Sequence, residues 1–173
     1  MRGILQKKAF HYHQGQLSST DYDWVAEEVP VALIYNGISH AVMMATPLNL
    51  EQFAVGFSLS ERIIKSVNDI YHIEVQRQAQ GIEVHIEISS RRFMALKEKR
   101  RALTGRTGCG ICGTEQLAEV FTELPILPFT TCFKLTDIST TFTKLVQSQV
   151  LRSQTGGTHV AGWFTSQGQL LCS

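Results

Sequence analysis

The stretch EEVPVALIYNGISHAVMMATP, Glu27 to Pro47, decides how the chain folds. Val31, Leu33 and Tyr35 recur at every second position before Asn36-Gly37, and Ile38, His40 and Val42 recur after it. Asn-Gly supplies the two positive-φ residues of a type I′ turn, so the stretch predicts a β-hairpin. LNLEQFAVGFSLSERII follows. Leu50, Phe53, Ala54 and Phe57 repeat at helical spacing, and Asn49 with Gln52 reads as a capping box. The spacing predicts a helix packed on the hairpin.

Working outward, Asp69 to Ser89 holds two more strands. Ile82, Val84, Ile86 and Ile88 alternate there with Glu83, His85 and Glu87, which gives one buried and one wet face, with His85 on the wet side. SSRRFMALKEKRRALTGRTG is a second helix, started by Ser89 or Ser90 and stopped near Gly105, with Phe93, Leu96 and Leu103 as its buried stripe. TEQLAEVF begins a further helix, and prolines keep ELPILPF extended. TDISTTFTKLVQSQVLRSQ is helical with Thr136 as its cap. THVAGWF, a turn at Ser166–Gly168 and QLLCS form a last hairpin. Residues 1–24 are polar and aperiodic and read as an arm or edge element, and residues 25–173 read as part of a single domain. The order of elements is that of an α/β (α+β) layered domain. The apolar strand QLLC at the end of the sequence reads as a sheet cut short.

The chain has 173 residues, 43% of them hydrophobic and 18% charged, with a formal net charge of +1. That is the composition of a globular protein with a real core, and the charge argues against a nucleic-acid partner. No apolar run reaches the roughly 20 residues needed to span a bilayer, and the first residues have no signal-peptide core, so a cytoplasmic location is expected. In that compartment four cysteines point to chemistry, metal or core rather than to disulfides.

Two of them, Cys109 and Cys112, stand in GRTGCGICG, residues 105–113, among four glycines. From Arg91 to Arg106, the last of them inside the loop, stand seven basic residues (Arg91, Arg92, Lys97, Lys99, Arg100, Arg101 and Arg106) and one acid, Glu98. Arg100 falls near the apolar stripe and calls for an anionic partner. C-x-x-C serves zinc sites, dithiol redox pairs and persulfide carriers. A structural zinc site needs two such pairs, and here there is one. A thioredoxin-type pair follows a strand at a helix start, whereas a basic helix and a glycine loop precede Cys109. A sulfur carrier needs a thiolate, which the basic neighbours favour, and a mount open to a bulky partner, which the glycines allow. The residues leave all three open. Cys132, Cys172, Trp163 and Met43-Met44 read as core. His159, in TGGTHVAGW, reads either as a hydrogen-bonded strand-end histidine or as a residue facing substrate or cysteine.

With EEVPVALIYNGISHAVMMATP, FAVGFSLSERII, IEISSRRFMALKEKRRALTGRTGCGICG, LPF and TGGTHVAGW in this order, the sequence resembles the formate dehydrogenase accessory sulfurtransferases, the FdhD family. The resemblance implies a cytidine deaminase-like fold, a homodimer, and a persulfide taken from a cysteine desulfurase. It implies delivery of that sulfur to the molybdenum bis(molybdopterin guanine dinucleotide) cofactor in formate dehydrogenase maturation. Cys109 matches the family's persulfide cysteine and Cys112 the second cysteine of its pair. Arg106, Arg100 and His159 are the candidate contacts to the anionic cofactor. No zinc is expected, because the H-x-E signature of zinc deaminases is missing before Cys109. The resemblance also implies a further C-terminal region that holds the family's cofactor-binding residues, so none of those is carried over here. The competing expectation is a truncated, non-catalytic docking fragment for desulfurase or apo-formate dehydrogenase.

Overall fold

The computed structural model describes residues 3–10, 12–17, 21–102, 126–128 and 132–173, with the backbone alone at Asp21 and at residues 99–102. In chain order the strands and helices are β1 (Ile4–Ala9), β2 (Tyr12–His13), β3 (Gln16–Leu17), β4 (Asp21–Ala26), β5 (Val29–Tyr35), β6 (Ile38–Ala45), α1 (Leu50–Ser60), a 3-10 turn at Val67–Asp69, β7 (Ile70–Gln78), β8 (Gly81–Ile88), α2 (Ser90–Ala102), α3 (Leu135–Ser148), α4 (Val150–Thr155), β9 (Trp163–Phe164) and β10 (Leu170–Cys172). The chain gathers into two compact units, Val29–Ile126 and a second made of Met1–Glu28 with Leu127–Ser173.

The first unit is a mixed four-stranded sheet in the order β6-β5-β8-β7. Asn36 at φ 45° and Gly37 at φ 81° make the β5–β6 turn that Asn-Gly predicts. β5 then pairs in parallel with β8, and β8 pairs antiparallel with β7. Val31, Leu33 and Tyr35 of β5 and Ile82, Val84, Ile86 and Ile88 of β8 point to one side, where Leu50 and Ala54 of α1 and Leu96 of α2 complete the core. Burying each such aliphatic side chain is worth about 1.5–3 kcal/mol, which makes this layer the main source of stability in the unit. Gly81 approaches β5 so closely that a Cβ there would run into the carbonyl oxygen of Pro30, and its φ of +154° also disfavours a side chain.

Two details depart from strict sequence patterning. Along β6 the register shifts opposite Leu33 and Ile34, with partners Ala41 and Ser39, so His40 is the extra residue of a bulge. The bulge takes His40 out of the alternation with Val42 and sets its ring edge-on to Tyr35 and Phe57, with centroids 5.6 Å and 6.2 Å away. Asn49 caps α1 by position only. It sits at φ 52°, ψ 39°, in the left-handed region, and its side chain makes no capping hydrogen bond. A complete capping box occurs instead at the 3-10 turn, between Ser66 and Asp69.

In the second unit, where the sequence pattern suggests an arm or an edge element, Ile4–Ala9, Tyr12–His13, Gln16–Leu17 and Asp21–Ala26 are strands. β1 pairs antiparallel with β4, and β2 with β3. Thr136 lies inside α3, whose N-cap is Lys134, and the predicted single helix divides at Gln149 into α3 and α4. Gly156 ends α4 in the left-handed conformation at φ 67°. β9 and β10 pair as the expected hairpin around Gly168 at φ +76°. Gly162 precedes it where a Cβ would stand 2.6 Å from Leu145 Cδ1 and 2.9 Å from Phe164 Cε2. Cys132, Cys172 and Trp163, expected in the core, are exposed. Met44 is exposed as well, while Met43, its neighbour on the opposite face of β6, packs against the core. A strand buries only every second residue, so the pair could not share one fate.

Candidate functional site

The basic helix leaves the sheet at the C-terminal end of β8, and two polar clamps hold that exit. The first comes from the hairpin tip. Asn36 Nδ2 donates to Ile88 O at 3.0 Å, and Asn36 Oδ1 accepts from Ile88 N at 2.8 Å. Its own backbone N–H donates to Ile86 O. One side chain thus satisfies both backbone groups of the last β8 residue, where the ladder runs out and α2 begins.

The second clamp is Asp69. Its Oδ2 accepts from the backbone N–H groups of Lys65 at 2.9 Å and Ser66 at 3.3 Å, and from Arg92 Nε at 2.9 Å. Its carbonyl accepts from Ser89 N, one residue before α2. The Lys65 amide, followed by the Arg92 hydrogen bond, holds the Asp69 carboxyl below its ordinary value of 3.8. Arg92 is therefore committed to the scaffold. Lys97 is partly committed too, with its ammonium 4.5 Å above the Phe93 ring. Arg91 and Glu98 remain on the exposed side of the helix. Phe93 and Leu96 carry the predicted buried stripe.

Beneath the helices a third polar group is buried in the core. Ser58 Oγ donates its one proton to Ala54 O at 2.6 Å, so in the 2.7 Å contact with Tyr35 the tyrosine hydroxyl is the donor. Burial, with a smaller push from the Glu61 charge, raises the Tyr35 hydroxyl to about 12, against the opposing Ser58 hydrogen bond.

Cys109, Cys112 and Arg106 lie outside the described residues, as do Leu103 and the helix expected at TEQLAEVF. Arg100 is placed in α2 by its backbone, and its side chain lies outside the described residues. His159 is exposed, in the irregular stretch between α4 and β9. There Arg152 Nη1 donates to Thr158 O at 3.0 Å, which ties the start of TGGTHVAGW back to α4. Sequence reading missed the roles of Asn36 and Asp69. The Asn-Gly pair signalled only a turn, and no local pattern marks contacts that join residues 52 and 23 positions apart.

In the second unit a cleft of about 250 Å³ opens between α3 and the β9–β10 turn, walled by Phe133, Ile138, Thr141 and Phe164. Its lining holds one ionisable residue, Asp137, and neither cysteine nor histidine, so it has the chemistry of an apolar crevice rather than of a transfer site. Among the described residues no group of three or more His, Cys, Asp or Glu side chains is arranged to hold a metal. Among them, too, no helix is long and apolar enough to cross a membrane.

The basic helix and GRTGCGICG both lie inside the stretch that comparison with known proteins matches. The model of the FdhD/NarQ family matches residues 26–173. The chain belongs to the FdhD/NarQ family. In fold it is similar to the crystal structure of a protein described as a formate dehydrogenase accessory protein, from Desulfotalea psychrophila. The TM-score is 0.62 at 21% identity, over 96% of this chain. The chain spans 59% of the length of that protein. The shared fold is the mixed α/β arrangement of a layered sheet with helices. The β1–β4 strands lie almost entirely before the family match, which begins at Ala26.

Proposed function

We propose that this FdhD/NarQ chain accepts persulfide sulfur on Cys109 and serves the maturation of formate dehydrogenase. The support is the family match across residues 26–173, which contains GRTGCGICG whole. The donor is a cysteine desulfurase. The Cys109 thiolate attacks the terminal sulfur of the donor's persulfide. A new S–S bond forms on Cys109, the donor's S–S bond breaks, and the donor leaves as a thiolate. Proton and electron counts are unchanged, and the basic run ahead of the loop favours the attacking thiolate.

Cys112 supplies the release step. Its thiolate attacks Cys109 Sγ, closing a Cys109–Cys112 disulfide and expelling the carried sulfur as hydrosulfide. The two electrons come from the dithiol, which a cellular thiol reductant then restores. The acceptor is the molybdenum bis(molybdopterin guanine dinucleotide) cofactor, whose phosphates suit Arg100, Arg106 and the rest of the basic run. A homodimer in the cytoplasm, with formate dehydrogenase as client, completes the reading. His159, exposed between α4 and β9, is the further candidate contact to the cofactor.

Peptide mapping after incubation with desulfurase and cysteine, followed by alkylation, tests both steps. The expected result is a persulfide on Cys109. In Cys112→Ala that persulfide should persist while hydrosulfide release falls at least tenfold. A persulfide on Cys132 or Cys172 instead, or undiminished release from Cys112→Ala, would contradict the assignment.

A further inference from the structure

The two edges of the four-stranded sheet are unlike. β7, on one side, carries Glu74 and Arg77 within its nine residues. Charges on an edge strand discourage pairing with another chain. β6, on the other side, reads ISHAVMMA and has no Asp, Glu, Lys or Arg. Among the described residues no strand pairs with its far side. The bulge at His40 interrupts the strand near the turn and leaves Ala41–Ala45 as a regular, uncharged run whose outer side pairs with no described strand.

That run, AVMMA, is self-complementary. Turned antiparallel on itself about Met43, it sets Ala41 opposite Ala45, Val42 opposite Met44, and Met43 opposite its own copy. Small residues meet small and large meet large, with no like charges facing. Val42 and Met44 share the outer face and are 64% and 59% exposed. Next to them on that face stand Pro30 and Ala32 of β5, their partners in the register. We propose that β6 is a strand-addition edge whose occupant is the same edge of a second copy of this chain. The two sheets then join about a two-fold axis into one of eight strands, as an isologous interface requires. This names the surface for the homodimer reading above, while the edge chemistry argues for it independently.

Sedimentation of the 173-residue chain tests it with Val42→Lys, Met44→Lys and, as a control on the opposite edge, Tyr71→Lys, a position also exposed. The expected result is a dimer for the native chain and Tyr71→Lys, and monomers with native circular dichroism for the two β6 variants. Dimers that persist in Val42→Lys and Met44→Lys would overturn the surface and leave the homodimer standing. A monomeric native chain would overturn both. Should the variants fail to fold, hydrogen exchange on the native chain decides. Protection of the Ala41–Ala45 amides must rise with protein concentration, and protection that appears only on adding a different protein would contradict the second-copy assignment.

Discussion

The two units use apolar residues in opposite ways. Among the described residues, every large hydrophobic residue of the buried core lies between Val31 and Leu96, in the sheet unit. In the other unit, α3 carries a stripe of Leu135, Ile138, Phe142 and Val146 along one side, 42–80% exposed. That helix meets its own hairpin beside this stripe, where Ile138 walls the cleft with Phe164, Leu145 meets Gly162, and Lys144 Nζ donates to Gly168 O at 2.7 Å. A regular apolar pattern thus yields a sealed core in one place and a largely exposed stripe in the other. Periodicity predicts that a helix forms, whereas burial depends on what packs against it.

Substitutions sharpen this contrast. Leu33→Ala, at a fully buried position, is expected to cost about 3 kcal/mol in urea denaturation. The matching truncation on the exposed stripe, Phe142→Ala, should stay within about 0.5 kcal/mol. Equal losses at the two sites would break the comparison. Gly81→Ala, which drives a Cβ into the Pro30 carbonyl, should cost about 2 kcal/mol. Ser58→Ala leaves the buried Tyr35 hydroxyl without its acceptor, at about 1–2 kcal/mol.

Two titrations probe the same unit. Asp69 is held below its ordinary value when folded, so its contribution is complete above the unfolded-state value and is lost as pH falls through the folded one. The stability gap between the native chain and Asp69→Asn should therefore be open at neutral pH and close below about pH 4. Tyr35, raised to about 12, stabilises fully below about pH 10 and loses that contribution as pH climbs to about 12. Tyr35→Phe should flatten that alkaline loss, as followed by circular dichroism.

Much of the sheet unit is legible in the sequence because its signals are local. Asn36-Gly37 dictates a turn by conformation, and Ile82 to Ile88 dictate a two-faced strand by alternation. The family resemblance is legible too, since ordered motifs hold it. What escaped depends on partners far along the chain. Asn36 reads as a turn residue and yet also terminates β8. Arg92 reads as one charge of a cationic run and yet belongs to Asp69. Trp163, Cys132 and Cys172 read as core by residue type, and all three stand exposed. Of the candidate site, the exit helix is legible, its two clamps are not, and the cysteine loop itself rests on its motif.

Intact-protein mass spectrometry, after incubation with a cysteine desulfurase and free cysteine, tests the central claim most directly. The native chain should gain a single cyanide-labile sulfur, and Cys109→Ala should gain none. Equal sulfur on both proteins, or none on a folded native chain, would contradict the assignment of Cys109 as the sulfur acceptor.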